Sequence, residues 1–422
     1  MNLSRRHLLK LALAGAAHPL LPMRGIVSQV FAAPGAADAK FLLVFLRGGY
    51  DAASVVVPVG SDFYFEVRPT IALPKPDPAN PNAAISLARP NDAVQWGLHP
   101  ALKDSMLPLW QKGQLAFVPF AGTEDLTRSH FETQDSIESG MPVSAPGSAA
   151  RAYGSGFLNR LATALDARAA PVAFTDGLPM VLSGEVIVPN VSLKGTGKAS
   201  FDNRQMELLS GMYAGTRFQS LISEGFDLRK TVAEQADAMA KGGMVGEMQA
   251  ANRNALTAKG FELEARRMAG LMKDKFNIGF IDIGGWDTHV NQGSAQGQLA
   301  NLLTSLGQGL AGFAEEMGPA WNQTVVFVLS EFGRTFRENG THGTDHGHGS
   351  AHWILGGAVR GGRIAGEQVA VTPATLNQNR DFPVLPEYRA MLGGIFKHMY
   401  SLDNTRIARV FPSTVPHELG LV

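Results

Sequence analysis

No cysteine occurs in the 422 residues. Disulfides, thiolate metal sites and cysteine nucleophiles are therefore excluded. A chain of this size buries a large core without cross-links, so the absence does not argue against secretion. An excess of one charge is lacking too, with 37 basic residues against 37 acidic ones. Four of the basic residues (Arg5, Arg6, Lys10, Arg24) and no acidic ones precede Ala33, which leaves 33 against 37 beyond that point, a formal −4. A general nucleic-acid binder would show a basic face, so no nucleic-acid partner is expected. Long apolar runs are missing as well. The stretch from Leu11 to Ala17 is short, and Gly15, His18, Pro19 and Pro22 break it, so no stable membrane span is expected. There are no internal repeats.

The N-terminus carries an address. Ser4-Arg5-Arg6-His7-Leu8-Leu9-Lys10 sets a twin arginine before a mildly apolar stretch, the pattern of a Tat export signal. Val30-Phe31-Ala32 fits a small-residue cleavage site. The expectation is a signal over 1–32, the Tat translocase as transient partner, and a periplasmic or otherwise extracytoplasmic product. Residues 33–422 read as one large α/β domain with a loop-rich and helical insertion at about 147–272.

Short apolar runs that stop abruptly in polar residues read as buried strands. They fall at Phe41–Leu46, Leu115–Phe120, Ile278–Ile283, Thr324–Leu329 and Trp353–Leu355, with weaker ones at Val172–Phe174 and Val186–Val191. Helices are expected over Pro100–Gln111, Phe131–Ser139, most of Phe201–Met272, and Glu387–Tyr400; Pro74–Pro100 reads as surface loop. Ligands bind beyond the carboxyl ends of strands in open α/β sheets. Asp51 follows the first run, Asp287 and His289 the third, and Ser330 and Glu331 the fourth. Asp345, His346, His348 and His352 lead into the fifth. Nine histidines lie beyond Ala33, and five of them fall between His289 and His352. Carboxylates with imidazoles suit zinc, manganese or a similar divalent ion. Thr127, Arg128 and Ser129 precede a helical segment. A serine there is ordinarily an N-cap, but at a helix N-terminus it also gains nucleophilicity. Arg128 and Arg334 are candidates to hold an oxyanion, and Arg334 also has Glu331 as a candidate partner. Arg47-Gly48-Gly49-Tyr50-Asp51 lacks dinucleotide-fingerprint spacing, which speaks against a nucleotide cofactor.

RGGYD, GLHPAL, TRSHF, GGWDTH, SEFGRT, GTDHG and LGGAVRGG, in that order behind a twin arginine, resemble a domain-of-unknown-function family of Tat-exported bacterial proteins. That family is grouped with the alkaline phosphatase and sulfatase-like superfamily. The resemblance implies a three-layer fold, a mainly parallel sheet with helices on both faces. It also implies a hydrolase of small phosphate or sulfate esters with one or two divalent ions (zinc, manganese, calcium or magnesium). By the same resemblance Asp51 is the first ligand, Asp287 and His289 are an Asp/His pair, Glu331 and His346 complete the set, and Asp345 and His348 stand in reserve. Ser129 is the implied nucleophile, with Thr127 its rival. The chain departs from the superfamily pattern at Ser330-Glu331, where an Asp-His pair is usual, and in the Asp287-x-His289 spacing. A non-catalytic binding or assembly protein on the same fold is the alternative.

Overall fold

Eight strands form the central sheet among the described residues: Lys40–Leu46 (β1), Leu115–Ala121 (β2), Pro171–Ala173 (β3), Leu256–Thr257 (β4), Ile278–Gly284 (β5), Thr324–Ser330 (β6), Ser350–Leu355 (β7) and Arg363–Ile364 (β8). Their order is β8-β2-β7-β6-β1-β5-β3, with β4 pairing beside β5. The helices that concern the core and the site are His130–Ser139 (α1), Phe157–Leu165 (α2), Phe261–Asp274 (α3), Gln298–Met317 (α4), Tyr388–Tyr400 (α5) and Asn404–Val410 (α6). This computed structural model describes residues 38–89, 92, 94–143, 154–193, 219 and 255–422, all within the compact unit Ala33–Val422. The twin-arginine segment, and residues 147–153 and 194–254 of the expected insertion save residue 219, lie outside them.

The strands are apolar without alternation because both faces are covered. Leu42, Val44 and Leu46 pack with Phe261 and Met268 of α3 and Leu303 and Leu310 of α4. Phe41, Leu43 and Phe45 pack on the other side with Leu158 of α2, Leu392 and Phe396 of α5, and Ile407 of α6. Each such side chain, fully buried, contributes about 1.5–3 kcal/mol of transfer free energy. The result is a mixed α/β fold with helices on both faces of a mostly parallel sheet. No helix among the described residues is long and apolar enough to cross a membrane.

Register decides where the polar residues go. Leu46 pairs in parallel with Ile283 of β5 and with Ser330 of β6, so these three strands end at one level. β7 runs antiparallel to β6 and to β2. It therefore begins at the edge where its neighbours finish, and the segment before it returns to the same place. The strand expected at Trp353–Leu355 begins earlier, at Ser350, so His352 lies inside β7, not ahead of it. Other differences are local. Pro100–Gln111 is a 3-10 turn, Pro100–Leu102, then a short helix, Leu107–Gln111. His99 Nδ1 accepts from Ala101 N at that turn. Val186–Val191 forms no strand; it meets the sheet through a bridge from Asn190 to Ala173. Gly97–Leu98, in the supposed surface loop, pairs with Val56–Val57 on one side and with Ile85–Ser86 on the other in a small second sheet.

Candidate metal centre

Three imidazoles and one carboxylate meet at the carboxyl edge of the sheet. Asp287 sits on the loop that leaves β5. Its Oδ1 lies 3.0 Å from His289 Nε2 and 3.3 Å from His346 Nε2. Its Oδ2 lies 3.6 Å from His130 Nε2. The Nε2 atoms of His289 and His346 are 3.1 Å apart. His130, Asp287 and His346 each offer a ligand atom within 4.8 Å of the other two.

Each ring is turned by its other nitrogen. His130 Nδ1 is 2.8 Å from Glu331 Oε1, His289 Nδ1 is 3.2 Å from Asp345 Oδ1, and His346 Nδ1 is 3.1 Å from the Arg128 carbonyl oxygen. Carboxylate and carbonyl oxygens only accept, so each Nδ1 donates. The three Nε2 atoms are left facing Asp287 and one another. His130 Nε2 is buried and has no hydrogen bond within 3.5 Å among the described residues, Asp287 Oδ2 standing just beyond at 3.6 Å. Neutral rings in this arrangement set lone pair against lone pair between His289 and His346, an opposition that a cation between them removes. The donor set suits a divalent ion. Histidine ligands also ordinarily hold their second nitrogen on a carboxylate or carbonyl, as all three do here.

Electrostatics point the same way. Burial pushes the Glu331 carboxyl up, but His130 and Gln134 outweigh it and hold the group down at about 2. Burial pushes the His130 ring down, yet Asp287 and Glu331 raise it to about 9. Burial also opposes ionisation of Asp287, and His130, His346 and Arg334 reverse that and hold it far below the usual carboxylate range. A divalent ion at His130 Nε2 would have to displace a proton.

The expected residues divide. Asp287, His289 and His346 come together, with Asp345 behind His289. Glu331 is fully buried and accepts from His130, from Gln134 Nε2 at 3.0 Å and from Gly48 N at 2.8 Å. It stands one step behind His130, not among the ligand atoms. Asp51 does not join them, because its oxygens receive Arg68, Ser54 and Gln292. His348 is buried, and burial lowers its pKa against the pull of Asp381. Arg334 meets Asp287, not Glu331. It also donates to the carbonyls of Gly48, Gly49, Trp286 and Thr344, so its guanidinium is fully engaged. Gly48 has φ +122°, and a Cβ there would lie 2.7 Å from Asp287 N, so only glycine allows this approach. Ser129 caps α1, its Oγ accepting from Glu132 N at 3.5 Å. Thr127 Oγ1 is 3.3 Å from Thr133 Oγ1. Arg128 reaches Asp381 and Gln378, each at 3.1 Å.

His130 escaped the reading of the sequence. It is the first residue of α1, within the TRSHF segment already singled out. Beside a serine that reads as a cap, a lone histidine carries little signal of its own.

Fold and site define an α/β protein with a histidine–carboxylate centre at the carboxyl edge of its sheet. The sequence matches the family described as "Protein of unknown function (DUF1501)" over residues 38–405, and the chain belongs to that family. Comparison with curated proteins gives no match. Among solved structures the chain is similar to a protein in the alkaline phosphatase superfamily from Vibrio parahaemolyticus. That likeness has 11% identity and a TM-score of 0.32 over 75% of this chain and 60% of that one. It is similar to the lipoteichoic acid synthase LtaP from Listeria monocytogenes at 7% identity and TM-score 0.37, over 91% and 76% of the two chains. It is similar to the PsFucS1 sulfatase from Pseudoalteromonas sp. at 9% identity and TM-score 0.33, over 76% and 64%. Likeness at this level is too slight to bear on activity.

Proposed function

We propose that the protein is a metal-dependent hydrolase of phosphate or sulfate esters that works outside the cytoplasm after Tat export. The observation that carries the reading is the convergence of His130, Asp287 and His346, each offering a ligand atom within 4.8 Å of the other two. His130, Asp287 and His346 would hold one divalent ion, with His289 beside them. Such an ion supplies a Lewis acid to an ester oxygen. Ser129 adjoins His130 at the N-terminus of α1. Its Oγ accepts in the capping bond, so its own proton remains to be given up. In this reading Ser129 Oγ attacks phosphorus or sulfur. The new O–P or O–S bond forms as the bond to the alcohol oxygen breaks, and the departing alkoxide takes up the proton that Ser129 gives up. Water then cleaves the seryl ester. Arg334, lying on Asp287, keeps that carboxylate charged.

The second reading is a non-catalytic exported binding or assembly protein. It is favoured by the capping bond of Ser129 and by the full engagement of Arg334. Purified mature protein loaded with zinc or manganese, assayed on 4-nitrophenyl phosphate and sulfate, separates the two. Turnover that is lost in Ser129→Ala with metal retained supports the hydrolase. Turnover lost instead in Thr127→Ala moves the nucleophile. Bound metal without cleavage of either ester leaves the binding protein.

A further inference from the structure

Asp51 and Gln292 form a clamp behind the cluster. Gln292 is fully buried on the segment between β5 and α4. Its Nε2 donates to Asp51 Oδ2 at 2.8 Å. Its Oε1 accepts from Thr288 Oγ1 at 2.8 Å and from Thr344 Oγ1 at 3.1 Å. Both threonines are fully buried. Thr288 lies between Asp287 and His289, and Thr344 lies two residues before His346. The two segments also meet through their backbones, Thr344 N to Thr288 O at 3.2 Å and Gln292 N to His342 O at 2.9 Å.

An amide side chain can be turned either way, and here the carboxylate decides. Asp51 only accepts, so the Gln292 amino group must face it and the carbonyl must face the hydroxyls. Asp51 is itself held by Arg68, at 2.6 and 3.0 Å, and by Ser54 at 2.7 Å. Arg68 continues to the carbonyls of Thr335 and Phe336, on the segment after β6. Thr335 Oγ1 in turn accepts from Asp345 N at 3.0 Å. The charge of Asp51 is therefore neutralised by a buried guanidinium, and its oxygens are taken by four donors.

The geometry points to Gln292, oriented by Asp51, as the positioning residue that holds the His289 and His346 segments in register. Asp51 acts here as the anchor of that clamp and not as a ligand. The part of this that concerns metal rests on the metal-centre reading; the part that concerns the segments does not.

Backbone hydrogen exchange on Gln292→Met, which keeps the length and deletes the amide, is the test. The Gln292 and Thr344 amides are expected to exchange about tenfold faster, with the amides of β1 and β6 unchanged. A structural role alone would speed all of these together, and that result, or no change anywhere, overturns the proposal. Thr344→Val removes a single hydroxyl and serves if Gln292→Met does not fold; its loosening should be smaller and confined to the same amides. Isothermal titration with zinc adds a second readout. Gln292→Met and Asp51→Asn should each weaken binding about 10–100-fold without abolishing it. If Asp51→Asn alone removes the metal while Gln292→Met binds normally, Asp51 is a ligand and the clamp is refuted. Failure of ester turnover would sink the hydrolase reading and leave the exchange result standing.

Discussion

His130 Nδ1 stands 2.8 Å from Glu331 Oε1, and this bond turns the opposite ring nitrogen toward Asp287 and His346. Glu331 has no exposure and collects donors from three other groups: Gln134, Gly48 and Ser330. It is built as an orienting carboxylate.

Glu331→Gln should therefore keep the fold and weaken metal binding. An amide oxygen accepts less strongly than a carboxylate, and loss of an orienting partner typically costs 10–100-fold in affinity. His130→Ala should cost more, since it removes a donor atom outright. Calorimetric titration with zinc would decide; wild-type affinity in Glu331→Gln would refute the orienting role, and wild-type affinity in His130→Ala would remove His130 from the site.

Arg47 concerns stability. It is buried between Glu138 at 2.8 Å and Asp282 at 2.6 Å, with Gln134 also at 2.8 Å. Arg47→Met keeps much of the volume but strips the guanidinium from two buried carboxylates. Breaking a buried pair by removing one partner costs about 3–5 kcal/mol. Urea unfolding should show a loss of that order, and a loss below about 1 kcal/mol would mean that the carboxylates relax or take up protons cheaply.

The strands were legible because burial on both faces writes apolar runs into β1, β5 and β6. Asp287, His289 and His346 were legible because strand ends in such sheets meet at one edge. The direction of β7 was not, since nothing in Ser350–Leu355 encodes which way a strand runs; its partners do. Asp51 looked like Asp287 because both follow strands. What separates them is long-range: Arg68 stands 17 residues on and Gln292 stands 241 residues on, and both turn Asp51 inward. His130 was hidden for the converse reason, its partner Glu331 being 201 residues away.

Export is testable apart from the site. Arg5 and Arg6 precede a short apolar stretch, and replacing both with lysine should leave the precursor in the cytoplasm. Cell fractionation and blotting would show it. Undiminished periplasmic accumulation of the double variant would remove the Tat assignment and leave the centre itself untouched.

The last prediction is a pH dependence set by His352. This ring lies within β7, fully buried against Phe327 at 5.3 Å between centroids, and neither nitrogen has a hydrogen-bond partner among the described residues. Burial alone lowers its pKa from 6.5 to about 3. The unfolded chain takes up a proton near 6.5 that the folded chain refuses until about 3. Stability is thus fully present above 6.5 and falls as pH drops below it, by on the order of 1 kcal/mol per pH unit. His99, lowered by burial to about 4, adds in the same direction. Glu331, ordinarily 4.5 and held at about 2, acts only at lower pH. His130, raised to about 9, loses its contribution above 6.5 and changes nothing below. Between pH 6.5 and 4.5 the buried His348, also lowered by burial, acts with these two histidines, and Glu264 and Glu387, raised by burial, oppose them, so the variant is compared with the wild type to single out His352. Urea midpoints across that interval should fall less steeply in His352→Leu than in the wild type, whatever the absolute stability of the variant. Equal slopes would show that His352 finds a proton partner in the folded chain.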